Sequence, residues 1–81
     1  MQLRAYSQMR YSGESREFES DCGVTGFTSF RVIRGNWLLF DEEGYSGNQY
    51  ILGEGLYPDL TSCGCLSSAI KSLKPIPYVS R

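Results

Sequence analysis

One spacing of aromatics and glycine occurs twice in this chain. Tyr6, Tyr11 and Gly13 form an aromatic, four residues, an aromatic, one residue, a glycine. Phe40, Tyr45 and Gly47 repeat the arrangement 34 residues later, position by position (6 to 40, 11 to 45, 13 to 47). Self-similarity at a fixed offset marks a structural unit used more than once. The second copy begins as a strand-like run, Trp37-Leu38-Leu39-Phe40, and then bends through Asp41-Glu42-Glu43-Gly44. The closing glycine has a physical reason. A hairpin folded back over its own sheet needs a backbone angle that a residue with a Cβ resists. The two aromatics of each copy are then free to pack across the fold.

The stretches around the repeat carry period-two patterning, which is a strand signal. Residues 2–9 alternate loosely, with Leu3, Ala5 and Tyr6 as the apolar set, and Arg10 to Gly13 turns the chain. Residues 14–19 form a second strand with Phe18 inside; Ser20-Asp21-Cys22-Gly23 breaks it. Residues 28–34 set Phe30 and Val32 on one face against Arg31 and Ile33 on the other, before a turn at Gly35-Asn36. The second half follows the same order: strands over 37–41, 48–52 and 68–73, a bend over 42–47, and a turn at 53–55. A loop from Tyr57 holds one helical turn between Leu60 and Cys65, and Pro75 and Pro77 end the last strand because neither donates to a ladder. No window sustains a helical period.

About eight short strands at turn spacings of roughly 8–12 residues indicate an antiparallel sandwich or barrel. Two similar halves point to two Greek keys packed face to face. The expected fold class is therefore all-β, a two-sheet antiparallel β-sandwich of two Greek-key motifs. One domain fills residues 1–81, with motif one at about 2–34, motif two at about 36–76 and a tail at 77–81.

A chain of 81 residues has room for a single core, and its 14% aromatic content suits one. Phe18, Phe27, Tyr50 and Tyr57 are expected in core or sheet packing rather than in a sugar-stacking platform. The formal net charge is −1 and the Lys and Arg residues form no run, which excludes the basic stripe of a nucleic-acid binder. No apolar stretch approaches 18 residues and no secretory pattern opens the chain, so no membrane association is expected. Cys22, Cys63 and Cys65 are an odd set, read as reduced thiols of an intracellular, cytoplasmic protein. With no histidine, a four-ligand zinc site is not expected. No nucleophile–base pair, phosphate loop or paired carboxylates are present, so the chain is not expected to be an enzyme.

The twofold spacing, the serine at the head of the fourth strand (Ser29), Trp37 opening the second half and Tyr57-Pro58-Asp59 together resemble the βγ-crystallin domain. The resemblance spans Leu3 to Ile76 and leans toward the non-lens vertebrate members of the absent-in-melanoma-1 type. It implies that one strand of each motif is exchanged into the other's sheet. It makes Tyr6, Tyr11, Gly13, Ser29, Trp37, Phe40, Tyr45, Gly47 and Tyr57 structural positions, with a tyrosine corner at Tyr57. It also implies a calcium signature in each motif: acid or amide, acid or amide, two free positions, Ser or Thr, then Ser. Such oxygens suit a hard cation.

The chain departs from that signature. Motif one offers Val24, Thr25, Gly26, Phe27, Thr28 and Ser29. Aligning Ile70-Lys71 with Phe30-Arg31 gives Gly64, Cys65, Leu66, Ser67, Ser68 and Ala69 for motif two. On this alignment the first half reaches its fourth strand about six residues sooner than the second. The remaining candidate calcium ligands are Ser7, Thr28, Asp41 and Ser68, and Asp41-Glu42-Glu43 is expected to be a solvated bend. The expected function is a non-enzymatic structural or interaction module, one repeat of a larger intracellular protein, with degenerate calcium sites and no cofactor. The alternative that stays open is a calcium-binding module of low affinity. The resemblance implies neighbouring crystallin-like domains of the same chain as partners, with Tyr78 as a contact, and a link to the actin cytoskeleton.

Overall fold

The computed structural model describes residues 1–77. Among these residues seven strands run in chain order: β1 Gln2–Gln8, β2 Ser12–Phe18, β3 Ser29–Arg34, β4 Asn36–Glu42, β5 Ser46–Leu52, β6 Gly55–Tyr57 and β7 Ser72–Ile76. A 3-10 turn at Thr61–Cys63 lies between β6 and β7. Every strand pairing is antiparallel. One sheet has the order β2-β1-β3-β6 and the other β5-β4-β7. The expected two-sheet sandwich of Greek keys is the fold observed.

The exchange of strands is visible in the pairing. β6 comes from the second half but bonds to β3 of the first, with Phe30 opposite Tyr57 and Val32 opposite Gly55. In return Cys22, from the first half, bridges Leu73 of β7, and Cys22 N and O both bond across to it. At the centre Phe27 and Ile70 face each other and exchange both backbone bonds, at 3.2 and 2.9 Å. That reciprocal pair marks a pseudo-twofold axis relating the halves.

Alternation puts Leu3, Ala5, Phe30 and Val32 of the first sheet inward to meet Trp37, Leu39, Leu52 and Leu73 of the second. Phe18 and Phe27 close the cluster edge to face, 5.8 Å apart, as core residues. Tyr50 and Tyr57 pack against the same core, half-buried. Trp37 is fully buried, and its indole N–H donates to Arg34 O at 3.2 Å, so the ring costs no unpaired polar group.

The structure departs from the sequence expectation at four points. The last strand is Ser72–Ile76, not 68–73, and it passes through Pro75, which pairs with Trp37. β7 lies at the sheet's end, so the missing N–H of Pro75 leaves no ladder bond unmade. Gly55 opens β6 rather than closing a turn. An eighth strand is reduced to the bridge at Cys22. Finally, the loop difference between halves is nine residues rather than six. Tyr11 bonds to Ser29, 18 residues on, whereas Tyr45 bonds to Ser72, 27 residues on. The expected contact at Tyr78 lies outside the described residues.

Candidate functional site

The two folded hairpins are built alike. Tyr6 and Tyr11 meet edge to face at 5.6 Å and 76°; Phe40 and Tyr45 do so at 5.9 Å and 76°. Tyr11 and Tyr45 both sit at φ +60°, and Gly13 and Gly47 at +77° and +80°. A Cβ on Gly13 would collide with Ser7 Oγ, and one on Gly47 with the Asp41 carboxylate. The glycine of the repeat therefore answers two demands, a left-handed angle and a close approach.

One serine closes each hairpin from the facing strand. Ser29 Oγ accepts from Tyr11 N at 3.0 Å and donates to Gln8 O at 2.7 Å. Ser72 Oγ accepts from Tyr45 N at 3.0 Å and donates to Glu42 O at 2.6 Å. Both serines are fully buried. Ser72, not Ala69, is thus the counterpart of Ser29. The backbone agrees: Thr28 N donates to Tyr6 O and Lys71 N to Phe40 O, each at 2.9 Å. The second-half residues matching Val24 to Ser29 are then Ser67, Ser68, Ala69, Ile70, Lys71 and Ser72. This corrects the role expected of Ser68: the hydroxyl position of motif two holds Lys71, and Ser68 stands at the second acid position.

The sequence-expected cation ligands divide as follows. Thr28 Oγ1 donates to Ser7 O at 3.2 Å, so these two do meet. Ser7 Oγ is already accepting from Glu14 N at 2.9 Å. Ser68 reaches the same region from the other half: Gln8, Arg10, Thr28, Asp59, Ser67 and Ser68 line one open cleft. Asp41 is not among them. It is 3% exposed, which overturns its expected place in a solvated bend; Glu42 and Glu43 are the wet residues. Its carboxylate accepts from Asn48 N at 2.8 Å, Asn48 Nδ2 at 3.0 Å, Ser67 Oγ at 2.9 Å and Tyr50 OH at 3.3 Å. The Asn48 bond in particular, with those of Ser67 and Tyr50, holds its pKa below the usual carboxylate range. Asp41 is the counterpart of Ser7 (7 to 41), enlarged to tie β4, β5 and the loop before β7 together.

The cleft lacks charge to offer a cation. Its one carboxylate, Asp59, accepts from Ser62 N at 2.8 Å and Thr61 Oγ1 at 2.7 Å, capping the 3-10 turn. Arg10 lines the same cleft. Among the described residues no cluster of three His, Cys, Asp or Glu side chains is arranged to hold a metal. The donor set does not fit a calcium ion, whose affinity follows the number of charged oxygens. Tyr57 OH donates to Gly53 O at 2.9 Å, forming the corner expected there. All three cysteines are free thiols, and burial, with Cys65 nearby, pushes Cys63 up to about 12.

The chain is similar in sequence and in fold to known proteins. The human beta/gamma crystallin domain-containing protein 2 is 38% identical over 72 residues, which cover 84% of this chain and 4% of that protein. Mouse gamma-crystallin A is 38% identical over 80 residues, covering 93% of this chain and 46% of its own length. The chain thus spans a small part of the first relative and about half of the second. The solution structure of the fifth crystallin domain of the non-lens protein Absent in melanoma 1 superposes with a TM-score of 0.82 at 38% identity, over 93% of this chain and 86% of that one. The Beta/Gamma crystallin family model matches residues 2–76. With both folded hairpins, the exchanged strands and this match in agreement, the chain belongs to the beta/gamma crystallin family.

Proposed function

We propose that this chain is a non-enzymatic structural and interaction module, one repeat of a larger intracellular, cytoplasmic protein, whose calcium positions have decayed. The observation that carries this is the content of the signature positions. Val24, Thr25, Ser67 and Ser68 stand where acids or amides would supply ligand oxygens, so the carboxylate charge is missing. The small share of the human relative that the chain covers supports a repeat within a longer protein. Neighbouring crystallin-like domains of the same chain are its proposed partners, with the actin cytoskeleton as the wider setting suggested by the resemblance.

A second reading, a calcium module of low affinity, is favoured by one observation: Thr28, Ser67 and Ser68 line the same open cleft. Isothermal titration of calcium into chelator-treated protein separates the two. The structural reading expects no heat and no change in Tm at micromolar calcium. Saturable heat with a matching rise in Tm would defeat it, since a ligand that binds only the folded state must stabilise it.

A further inference from the structure

The pseudo-twofold that matches Ser29 to Ser72 also matches Phe30 to Leu73 and Val32 to Pro75 (29 to 72, 30 to 73, 32 to 75). The first sheet covers both members of its pair: Phe30 faces Tyr57 of β6, and Val32 faces Gly55. The second sheet covers only one. Cys22 lies against Leu73, and the two exchange backbone bonds of 2.9 and 3.0 Å. Among the described residues no backbone hydrogen bond reaches the outer edge of β7 past Leu73.

The direction of the backbone decides what that edge offers. In a strand the N–H and C=O of one residue point to the same side, and the side alternates from residue to residue. Leu73 turns both groups outward, to Cys22. Lys74 therefore turns inward to Leu38 of β4, its partner in register, and Pro75 turns outward. Carried one residue past the strand, the alternation turns Pro77 outward as well. Both outward positions are prolines, which have no N–H. The edge beyond Leu73 keeps carbonyl acceptors but holds no donor for an added strand.

We infer that Pro75 and Pro77 close this edge of the second sheet to strand addition by a second copy of the chain, in place of the covering strand that β6 supplies to the first sheet. An uncovered edge is a template for pairing with another chain. About a twofold axis at Ile76, an antiparallel second copy would set residue 75 of each chain against residue 77 of the other. Each such pair exchanges two backbone bonds when both residues carry an N–H. The prolines deny all four. Closure matters most for a module held at high local concentration beside domains of its own fold, the setting proposed above.

Pro75→Ala/Pro77→Ala restores the donors while removing apolar atoms, so a gain in association cannot come from added hydrophobic surface. Sedimentation equilibrium reads the dimer Kd of the double variant, of each single variant and of the unmodified chain, and near-UV circular dichroism of the buried Trp37 reports the fold. The double variant should dimerise at least about tenfold more tightly than the unmodified chain, with the single variants between. Pro75→Val/Pro77→Ala repeats the comparison with the apolar bulk of half-buried Pro75 kept. Amide shifts that change with concentration should centre on Lys74 and Ile76. Folded double variants that keep the Kd of the unmodified chain overturn the inference. So do shifts centred instead on Gln49 and Ile51 of β5, at the sheet's other edge, or self-association of the unmodified chain through Lys74 and Ile76.

Discussion

Replacing Gly47 by alanine tests the folded hairpin most directly. Gly47 sits at φ +80°, and forcing a Cβ into the left-handed region costs about 1–2 kcal/mol. The added methyl would also collide with the Asp41 carboxylate and lie 2.7 Å from Glu42 Cγ and 3.2 Å from Glu42 Cβ. Asp41 has little freedom to retreat, because four bonds fix it. Overpacking at such a site adds about 1–3 kcal/mol, for a sum of about 2–5 kcal/mol. Gly44 provides the control. Its φ is +69°, but a Cβ there meets nothing within 4 Å. Gly44→Ala should therefore show the strain alone, about 1–2 kcal/mol. Urea unfolding followed by the fluorescence of Trp37, the single tryptophan, measures both. If the two variants agree within about 0.5 kcal/mol, the scatter of ordinary surface changes, the close approach at Gly47 has no energetic consequence and the argument fails.

Trp37→Ala should cost about 3–5 kcal/mol in urea unfolding followed by circular dichroism, since the ring is wholly buried; a cost near zero would place it outside the core. Ser72→Ala should destabilise by about 1–3 kcal/mol, as Ser29→Ala should, by leaving buried backbone groups unpaired, while Ala69→Ser should neither rescue it nor matter alone. Asp41 has a depressed folded-state pKa, so its contribution is complete above the unfolded carboxylate value near 4 and is lost as pH falls through the lower folded value; Asp41→Asn should flatten the acid limb of Tm against pH. Cys63, pushed up to about 12, should react with iodoacetamide in native protein at pH 8 far more slowly than after unfolding in urea.

The hairpins were legible in the sequence because their geometry is unforgiving. Only glycine satisfies both the angle and the contact at positions 13 and 47, so the spacing survives in both halves. The second serine was hidden by a decoy: Ile70-Lys71 looks like Phe30-Arg31, an apolar residue followed by a cation, and draws the alignment three residues away from Ser72. What misled it was the nine extra residues that house β6 and the 3-10 turn. Asp41 is buried although an acid beside two others reads as wet. The repeat held the clue, since Asp41 falls where Ser7 does, and both accept from the amide that follows the glycine, at Glu14 and Asn48.

The exchange of strands has a consequence for how the chain reaches its native state. β6 completes the sheet of the half it does not belong to, and Cys22 and Phe27 are bonded into the other. Neither half can close its hydrophobic face by itself. Folding therefore waits on pairings between residues far apart in sequence, Val32 with Gly55 and Phe27 with Ile70, and such topologies fold in milliseconds to seconds rather than microseconds. The interlock gives the domain a single cooperative transition in place of two. It also means that a break between Gly35 and Asn36 would leave two fragments with no folded state except in each other's company.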